Sequence, residues 1–257
     1  MAETNQAIGE DFDGVHTQGS DKAYEAIFEN VLTEMDIFFP DDDFLGRLYA
    51  HWGAAMSSIL RKDMLPDRPD LWKKGEALLK EVMMELLPDM ITPVPGAAES
   101  TERLASQYTL GLISAADRDV LLQKLFPKVG LKEDYFKGGI FTADQMDPNK
   151  GQHPKPDPYA LGELMSRANA SPENTLMVGD SETDVLSAYY AGVEPVVTLT
   201  GNLKPIEAKS LGVRYIIEDV TRLEHEVIPR ALGRTGIGRF GWRPEPAWQK
   251  PHEIAIV

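Results

Sequence analysis

The sequence predicts an α/β fold in which a parallel sheet carries an all-helical insert near its amino-terminal end. Short apolar runs typical of buried strands alternate with helical patterns between residues 108 and 217. Residues 21–90 show amphipathic helical periodicity. A short strand pattern, residues 5–10, precedes them. Strands that alternate with helices indicate βαβ units and right-handed crossovers, so the first strand is expected to join the sheet formed by the later ones.

The first strand pattern is weak and the insert after it is strongly helical. Only Ala7 and Ile8 are apolar in residues 5–10, and Gly9 is unfavourable in a buried strand. The insert divides into three amphipathic stretches, residues 21–35, 41–62 and 71–87, which are separated by prolines. Its Trp and Met residues are expected to pack in a core.

After residue 95 the strand and helix patterns alternate. Strands are predicted at 108–113, 139–142, 175–178, 195–199 and 213–217, and helices at 117–125, 158–168, 182–191 and 206–211, the third closed by Gly192. Asp11, Ser114 and Asp180 each follow or end a predicted strand. Ligands of parallel sheets bind beyond the carboxyl ends of the strands, so these three side chains are expected to share one site.

Composition narrows the classes of function. The 257 residues carry 41 Asp and Glu against 26 Lys and Arg, a net charge of −15, which argues against nucleic acid or an anionic membrane as partner. The absence of cysteine excludes disulfides, thiolate metal sites and a cysteine nucleophile. No secretory pattern and no apolar run of about 18 residues is present, so a cytoplasmic location is expected. The oligomeric state stays open.

Asp11-Phe12-Asp13-Gly14 is the segment with the clearest chemical meaning. Side chains two residues apart in an extended segment point the same way, so Asp11 and Asp13 can face one pocket, and Gly14 lets the chain turn beside it. Two such acids repel each other unless a cation or a shared proton lies between them. The alternative is a turn with solvated acids. In the same way Ser114 or Asp180 could simply cap a helix, and Lys155 could be a surface lysine.

Taken in order, these segments resemble the haloacid dehalogenase (HAD) superfamily, in its phosphoglycolate-phosphatase-like and β-phosphoglucomutase-like branch. The four family motifs match DFDGV at 11–15, Ser114 in LISAADRD, Lys155 in HPKPDPY, and Asp180 with Asp184 in GDSETD. The helical insert falls in the gap where that branch carries its cap. The resemblance extends over residues 8–228, nearly the whole chain.

The resemblance implies a Rossmann-like parallel-sheet core, residues 1–17 and 92–230, a helical cap domain, residues 18–91, and a separate tail, residues 231–257. The tail is rich in Gly, Pro, Arg and Trp. Its composition is consistent with disorder or with a segment that lies across the acidic body, and both alternatives stay open.

The resemblance also implies a Mg²⁺-dependent phosphatase that acts on a small phosphorylated metabolite. Asp11 would be the nucleophile and Asp13 the general acid and base. Mg²⁺ would be held by carboxylates matching Asp11 and Asp180 and by the backbone carbonyl of Asp13. Ser114 and Lys155 would bind the phosphoryl group. Asp184 would be an outer ligand or would orient water.

Some residues depart from the family pattern and keep other functions open. The family's first strand is strongly apolar up to the nucleophile, whereas this chain has Gly9 and Glu10; a carboxylate there would destabilise the strand or must reach solvent. Ala115 stands where many relatives carry Asn. His16, where the chain leaves for the cap, would either contact substrate or be exposed. A sugar phosphomutase uses the same core, and a binding or regulatory protein that has lost the activity is the alternative outside enzymes.

Overall fold

The core of the protein is one six-stranded sheet in which all strands run parallel. In a computed structural model that describes residues 5–50 and 53–232, the sheet has the order β5-β4-β1-β6-β7-β8. These strands are β1 (Ala7–Glu10), β4 (Thr109–Ser114), β5 (Gly139–Thr142), β6 (Thr175–Gly179), β7 (Glu194–Thr198) and β8 (Tyr215–Ile217). A second, two-stranded antiparallel sheet is formed by β2 (Thr17–Gln18) and β3 (Thr92–Pro93). The predicted α/β class with a helical insert is therefore confirmed.

Helices cover the sheet and form the insert. The insert contains α1 (Ser20–Glu34), α2 (Asp41–Tyr49), α3 (Met56–Ile59) and α4 (Trp72–Met90). The helices that follow are α5 (Ala97–Ala105), α6 (Arg118–Val120), α7 (Phe126–Val129), α8 (Tyr159–Ala168), α9 (Glu182–Ala191), α10 (Pro205–Ser210) and α11 (Ile228–Ala231). Three π-helical turns, Leu60–Met64, Leu121–Leu125 and Leu223–Val227, extend α3, join α6 to α7 and precede α11.

The weak first strand lies at the centre of the sheet. β1 pairs with β4 on one side and β6 on the other, and all four of its residues are buried. Gly9 is suited to this position because a Cβ there would lie 3.1 Å from side-chain atoms of Ile113, Leu161 and Met177. The strand therefore gains close packing from its neighbours where its own sequence supplies little apolar surface.

The insert is connected to the core through the β2–β3 ribbon. Thr17 pairs with Pro93 and Gln18 with Thr92, and the Val94 N–H donates a hydrogen bond of 2.9 Å to the His16 carbonyl. Helices α1 and α4 then pack against each other. The helical stretch expected at 41–62 is divided, since α2 ends at Tyr49 and α3 begins at Met56. The domain boundaries at 17/18, 91/92 and 230/231 stay predictions.

The turn after β6 is held by local hydrogen bonds that the sequence encodes directly. Ser181 caps α9 in a capping box, in which its side chain accepts from the Asp184 N–H and Asp184 accepts from the Ser181 N–H. Gly192 ends the helix with a φ of 73°, as predicted. No helix among residues 5–50 and 53–232 is long and apolar enough to cross a membrane. Nearly all of the predicted tail, residues 233–257, lies outside the described residues.

Candidate active site

Three neighbouring strands bring the predicted site residues to one edge of the sheet. Asp11 follows β1, Ser114 ends β4 and Asp180 follows β6, and β1 lies between the other two. The Asp11 N–H continues the sheet ladder by donating to the Val178 carbonyl at 2.9 Å. All three side chains are buried.

Lys155 is a buried cation of the site and not the surface lysine that a loop position would suggest. Its ammonium lies 2.9 Å from Asp11 Oδ2 and 2.6 Å from Asp184 Oδ1, and the residue is only 6% exposed. Burial lowers the pKa of Lys155, but Asp11 and Asp184 raise it by more, so the group stays protonated. Lys155 can therefore present a fixed positive charge to an anion bound beside Asp11.

Three carboxylates share the neighbourhood of this lysine. Asp11, Asp180 and Asp184 each offer an oxygen within 4.8 Å of the others, and all three are buried. Burial raises the pKa of Asp11 well above its usual range, and the attraction of Lys155 offsets this only in part. Burial, followed by repulsion from Asp184, raises the pKa of Asp180 to about 7. The three acids outnumber the Lys155 ammonium, and the raised pKa values of Asp11 and Asp180 reflect the cost of ionising them together.

Asp180 and Asp184 are oriented by different partners. Asp180 Oδ2 accepts bonds from the Asn202 N–H at 2.7 Å and from Asn202 Nδ2 at 3.1 Å. Asp184 Oδ2 accepts from the N–H groups of Asp180 and Ser181 at 3.2 and 3.1 Å and from Ser181 Oγ at 2.5 Å. With Lys155 on its other oxygen, Asp184 is occupied by protein donors. This geometry agrees with a residue that orients Lys155 and the Asp180–Ser181 backbone.

Gly14 allows the backbone to pass directly against Asp180. Its φ is +68°, and a Cβ added there would lie 2.2 Å from Asp180 Cγ. The Gly14 carbonyl accepts a bond of 2.8 Å from Thr198 Oγ1 and a second bond from Thr200 Oγ1. The glycine of the first motif is thus required by the packing of the acid from the fourth motif.

Asp13 lies beside the cluster with its own set of hydrogen bonds. Thr17 Oγ1 donates to Asp13 Oδ1 at 3.1 Å, and the Tyr24 hydroxyl donates to Asp13 Oδ2 at 2.9 Å. Burial raises the pKa of Asp13, and these hydrogen bonds, the one from Tyr24 first, reduce the shift. A carboxyl with a raised pKa at the edge of the site is suited to proton transfer.

Ser114 is placed at the site edge by the end of β4. Its Oγ accepts a bond of 3.1 Å from the Ala116 N–H, so the hydroxyl proton can be donated to another acceptor. The next residue, Ala115, lines the same small cavity as Asp11, Asp13 and Asp180. The loop that carries Ser114 therefore faces the carboxylates.

Two connected cavities define the space at the site. The one lined by Asp11, Asp13 and Asp180 has a volume of about 40 Å³ and is covered from the insert by Gly53, Ala54 and Met56. It shares Ala54, Ser181 and Asn202 with a cavity of about 740 Å³ between the insert and the core; this larger cavity is also lined by Tyr49, Lys62, Glu182 and Glu207. A site of this size can hold a small-molecule substrate.

Glu10 and His16 are both buried, so the alternative in which they are exposed is wrong for each. Neither reaches solvent: Glu10 is 0% and His16 1% exposed. His16 Nε2 lies 3.2 Å from Glu10 Oε2, which also accepts a bond of 3.3 Å from Thr101 Oγ1. The His16 ring packs near the rings of Phe12 and Phe136, with centroids 5.9 and 6.4 Å apart. The expected exposure of these residues was wrong because each polar side chain is buried beside the other; whether Glu10 destabilises the strand and whether His16 contacts substrate stay predictions.

The donor set of the cluster fits a divalent cation. Carboxylate oxygens are the ligands that Mg²⁺ prefers, and Asp11, Asp180 and Asp184 are held close together despite their repulsion. A divalent charge between Asp11 and Asp180 would lower both raised pKa values and keep both groups ionised. The carboxylate of Asp13 is outside this cluster, which agrees with a metal role for its backbone carbonyl only.

The sequence pattern of one known family matches most of the chain. The family is described as a haloacid dehalogenase-like hydrolase, and the match covers residues 6–192, which include β1, the insert, Lys155 and Asp180. This chain belongs to that family. A crystal structure of a hydrolase from Pseudomonas syringae has the same fold, with a TM-score of 0.71 at 20% identity over 88% of this chain and 100% of the other.

Curated relatives match shorter parts of the chain. Pyrophosphatase PpaX of Oceanobacillus iheyensis is 29% identical over 133 residues, which are 51% of this chain and 58% of that protein. Phosphoglycolate phosphatase of Pseudomonas putida is 41% identical over 71 residues, 27% of this chain and 25% of that protein. The matches thus span from a quarter to little more than half of these relatives.

Sequence patterns did not indicate three residues that orient the site. Thr17 and Tyr24 bond Asp13, and Asn202 bonds Asp180. Asn202 lies 22 residues after its partner, in a loop without a motif. Tyr24 was part of the apolar stripe of its helix, where a tyrosine is usually explained by packing.

Proposed function

We propose that this protein is a Mg²⁺-dependent phosphatase that hydrolyses a phosphate ester of a small metabolite through an aspartyl-phosphate intermediate. The observation that carries the proposal is the contact between Asp11 and Lys155 inside a cluster of further carboxylates. A buried ammonium fixed beside one carboxylate suits a nucleophile whose target is an anionic phosphoryl group. The printed names of the curated relatives, a pyrophosphatase and a phosphoglycolate phosphatase, agree with this class of reaction.

Each residue has a role that its contacts allow. Asp11 Oδ1 accepts from the Phe12 N–H at 2.8 Å and Oδ2 contacts Lys155, which fixes the carboxylate for in-line attack on phosphorus. Lys155 and the Ser114 hydroxyl bind the phosphoryl oxygens. Asp13 protonates the leaving oxygen and then takes a proton from the water that hydrolyses the acyl phosphate.

Mg²⁺ would be held by Asp11, Asp180 and the backbone carbonyl of Asp13. When bound, it neutralises the charge that develops on the phosphoryl oxygens. Asp184 keeps Lys155 and the Asp180–Ser181 backbone in place. The small cavity fits the reacting phosphoryl group, and the part of the substrate that leaves would extend into the larger cavity toward Tyr49 and Lys62.

The test is phosphate release from p-nitrophenyl phosphate and from a panel of metabolite phosphates, with Mg²⁺ and with EDTA. We expect metal-dependent release by the wild type and a loss of at least about 10³-fold in Asp11→Asn, because the nucleophile is removed while the shape is kept. Asp147→Asn, at an acid that bonds the Asn149 N–H in an exposed turn, is the matched control and should keep full activity. No release by the wild type across the panel, or equal activity in Asp11→Asn, would contradict the proposal.

A further inference from the structure

The two carboxylate oxygens of Asp13 are held by two different parts of the chain, one of them the insert. Thr17, on Oδ1, belongs to the ribbon next to the core, whereas Tyr24, on Oδ2, belongs to helix α1 of the insert. Tyr24 is 4% exposed and lines the small cavity together with Asp13. A core residue that must move a proton is therefore oriented in part by a hydroxyl from the insert.

We infer that Tyr24 is a positioning residue for Asp13, so that the acid and base of the reaction is aligned only while the insert is docked on the core. The inference rests on the proposed function and adds to it. A phenol is rigid, with only two side-chain torsions, and α1 packs on α4, so the hydroxyl moves together with the insert as a unit. Displacing the insert would remove the donor from Asp13 Oδ2 and leave that oxygen free to rotate.

The insert is docked on the core in this structure. At Gly53 a Cβ would lie 2.8 Å from Thr183 Oγ1 and 3.3 Å from Ser181 Oγ, at the start of α9. Gly53, Ala54 and Met56 also close the small cavity that Asp13 lines. The Tyr24 bond is thus observed in the same arrangement in which the reacting group would be shielded from water.

The hydroxyl of Tyr24 is a stable donor in this position. Burial, and then the negative charge of Asp13, raises the pKa of Tyr24 well above its usual range, which favours the neutral hydroxyl. A hydroxyl can both donate and accept, so the same contact persists whether Asp13 is a carboxylate or a carboxylic acid. Tyr24 can therefore hold Asp13 through both halves of the reaction.

A defect in the general acid has a characteristic dependence on the leaving group. Good leaving groups such as p-nitrophenolate depart without a proton, whereas phenolate and alkoxide leaving groups need one in the transition state. We expect Tyr24→Phe to lower kcat/KM, which reports the steps up to departure of the leaving group, by about 10-fold to 100-fold on phenyl and alkyl phosphates, but by less than about 3-fold on p-nitrophenyl phosphate. A purely structural loss would lower all of these rates by the same factor.

The variant and its control are closely matched. Tyr24→Phe keeps the ring and removes one buried hydroxyl. Tyr189→Phe removes the hydroxyl of another buried tyrosine, which donates to the Leu211 carbonyl at 2.9 Å. We expect Tyr189→Phe to show similar thermal stability to Tyr24→Phe and unchanged leaving-group dependence.

A double-mutant cycle with Asp13→Asn separates action through Asp13 from other effects. If Tyr24 acts by aligning Asp13, Tyr24→Phe in the Asp13→Asn background should change kcat/KM for phenyl phosphate by less than about 2-fold, because there is no acid left to align. This inference alone would be overturned by losses in kcat/KM that are additive in the cycle, or by a loss in kcat/KM of Tyr24→Phe that is the same for all leaving groups. A wild type without Mg²⁺-dependent phosphate release would overturn the proposed function, and this inference with it.

Discussion

The chain buries carboxyl groups in two different surroundings around the end of strand β1: Glu10 lies beside one imidazole, whereas Asp11 lies in a cluster of acids. Behind the nucleophile, Glu10 faces His16, and Thr101 bonds the same carboxylate oxygen. At the site, Asp11, Asp180 and Asp184 surround the single ammonium of Lys155. In the first group one carboxyl group lies beside one imidazole, whereas in the second group the acids outnumber the Lys155 ammonium, and a further cation can neutralise them. Burying acids in excess of their counter-charges is costly. The presence of such a cluster therefore indicates a site that binds a cation.

The largest effect is expected from removing the one ammonium of the acidic cluster. Lys155→Met keeps the length of the side chain and leaves Asp11 and Asp184 buried without a counter-charge. We expect a loss of about 4 kcal/mol in the free energy of unfolding in EDTA, measured by denaturant titration. Lys150→Met, at an exposed lysine that pairs with Asp147, is the control and should cost less than about 0.5 kcal/mol. Equal stabilities of the two variants would show that Lys155 is not needed to compensate the acids.

The second largest loss of stability is expected when one member of the Glu10–His16 pair is replaced, and this loss should be smaller when both are replaced. Glu10→Leu or His16→Leu leaves the other group buried without its partner and should cost about 3 kcal/mol each. The double variant should cost less than either single one, since a buried pair can be replaced by apolar side chains. Glu10 Oε1 and both ring nitrogens of His16 have no hydrogen-bond partner within the described part of the chain, which makes the apolar replacement easier. Additive costs in this cycle would show that the pair does not act as a unit.

The third prediction concerns Asp180→Asn, which is expected to increase the free energy of unfolding by a smaller amount than Lys155→Met decreases it. In the folded protein without a divalent cation the pKa of Asp180 is about 7, against an ordinary value of 3.8. Between these values the folded state binds the proton more tightly than the unfolded state, so stability falls as the pH rises from about 4 to about 7. Asp180→Asn keeps an acceptor for Asn202 and removes the charge, so in EDTA it should be the more stable protein by on the order of 1 kcal/mol at pH 8.

The test of this prediction is how the difference in stability between the wild type and Asp180→Asn depends on pH. Melting temperatures of wild type and Asp180→Asn in EDTA should converge near pH 4 and separate as the pH rises through 7. A wild type that is more stable than Asp180→Asn at pH 8 in EDTA would show that the acids do not repel each other as the geometry indicates.

The same contrast explains which features could be predicted from the sequence. Features that local chain geometry determines could be predicted from the sequence. These are the ends of β1, β4 and β6, the helix that ends at Gly192, and the helical insert between β1 and β4. The burial of Glu10 beside His16 was missed because the chain reaches His16 only after it turns at Gly14. Sequence spacing indicates side chains along one element, but it does not show which group on another element faces a buried charge.

The site shows the same limit. Asp11 and Asp180 were predicted to lie together because parallel strands end at one edge of the sheet, and the structure places them together. Tyr24 and Asn202 were missed because one belongs to an apolar helix face and the other to a loop. Their roles depend on how the insert and the loop after β7 pack on that edge, which is a tertiary property.

The most direct test of the unbalanced cluster is a Mg²⁺ titration of the wild type and Asp180→Asn, followed by melting temperature at pH 7.5 and checked by calorimetry. The account predicts that the wild type is stabilised by Mg²⁺, by about 2.7 kcal/mol at 100 times the dissociation constant. It predicts little or no stabilisation of Asp180→Asn, and full stabilisation of the Glu10→Leu/His16→Leu double variant. A wild type whose melting temperature and heat signal do not respond to Mg²⁺ would contradict the central claim.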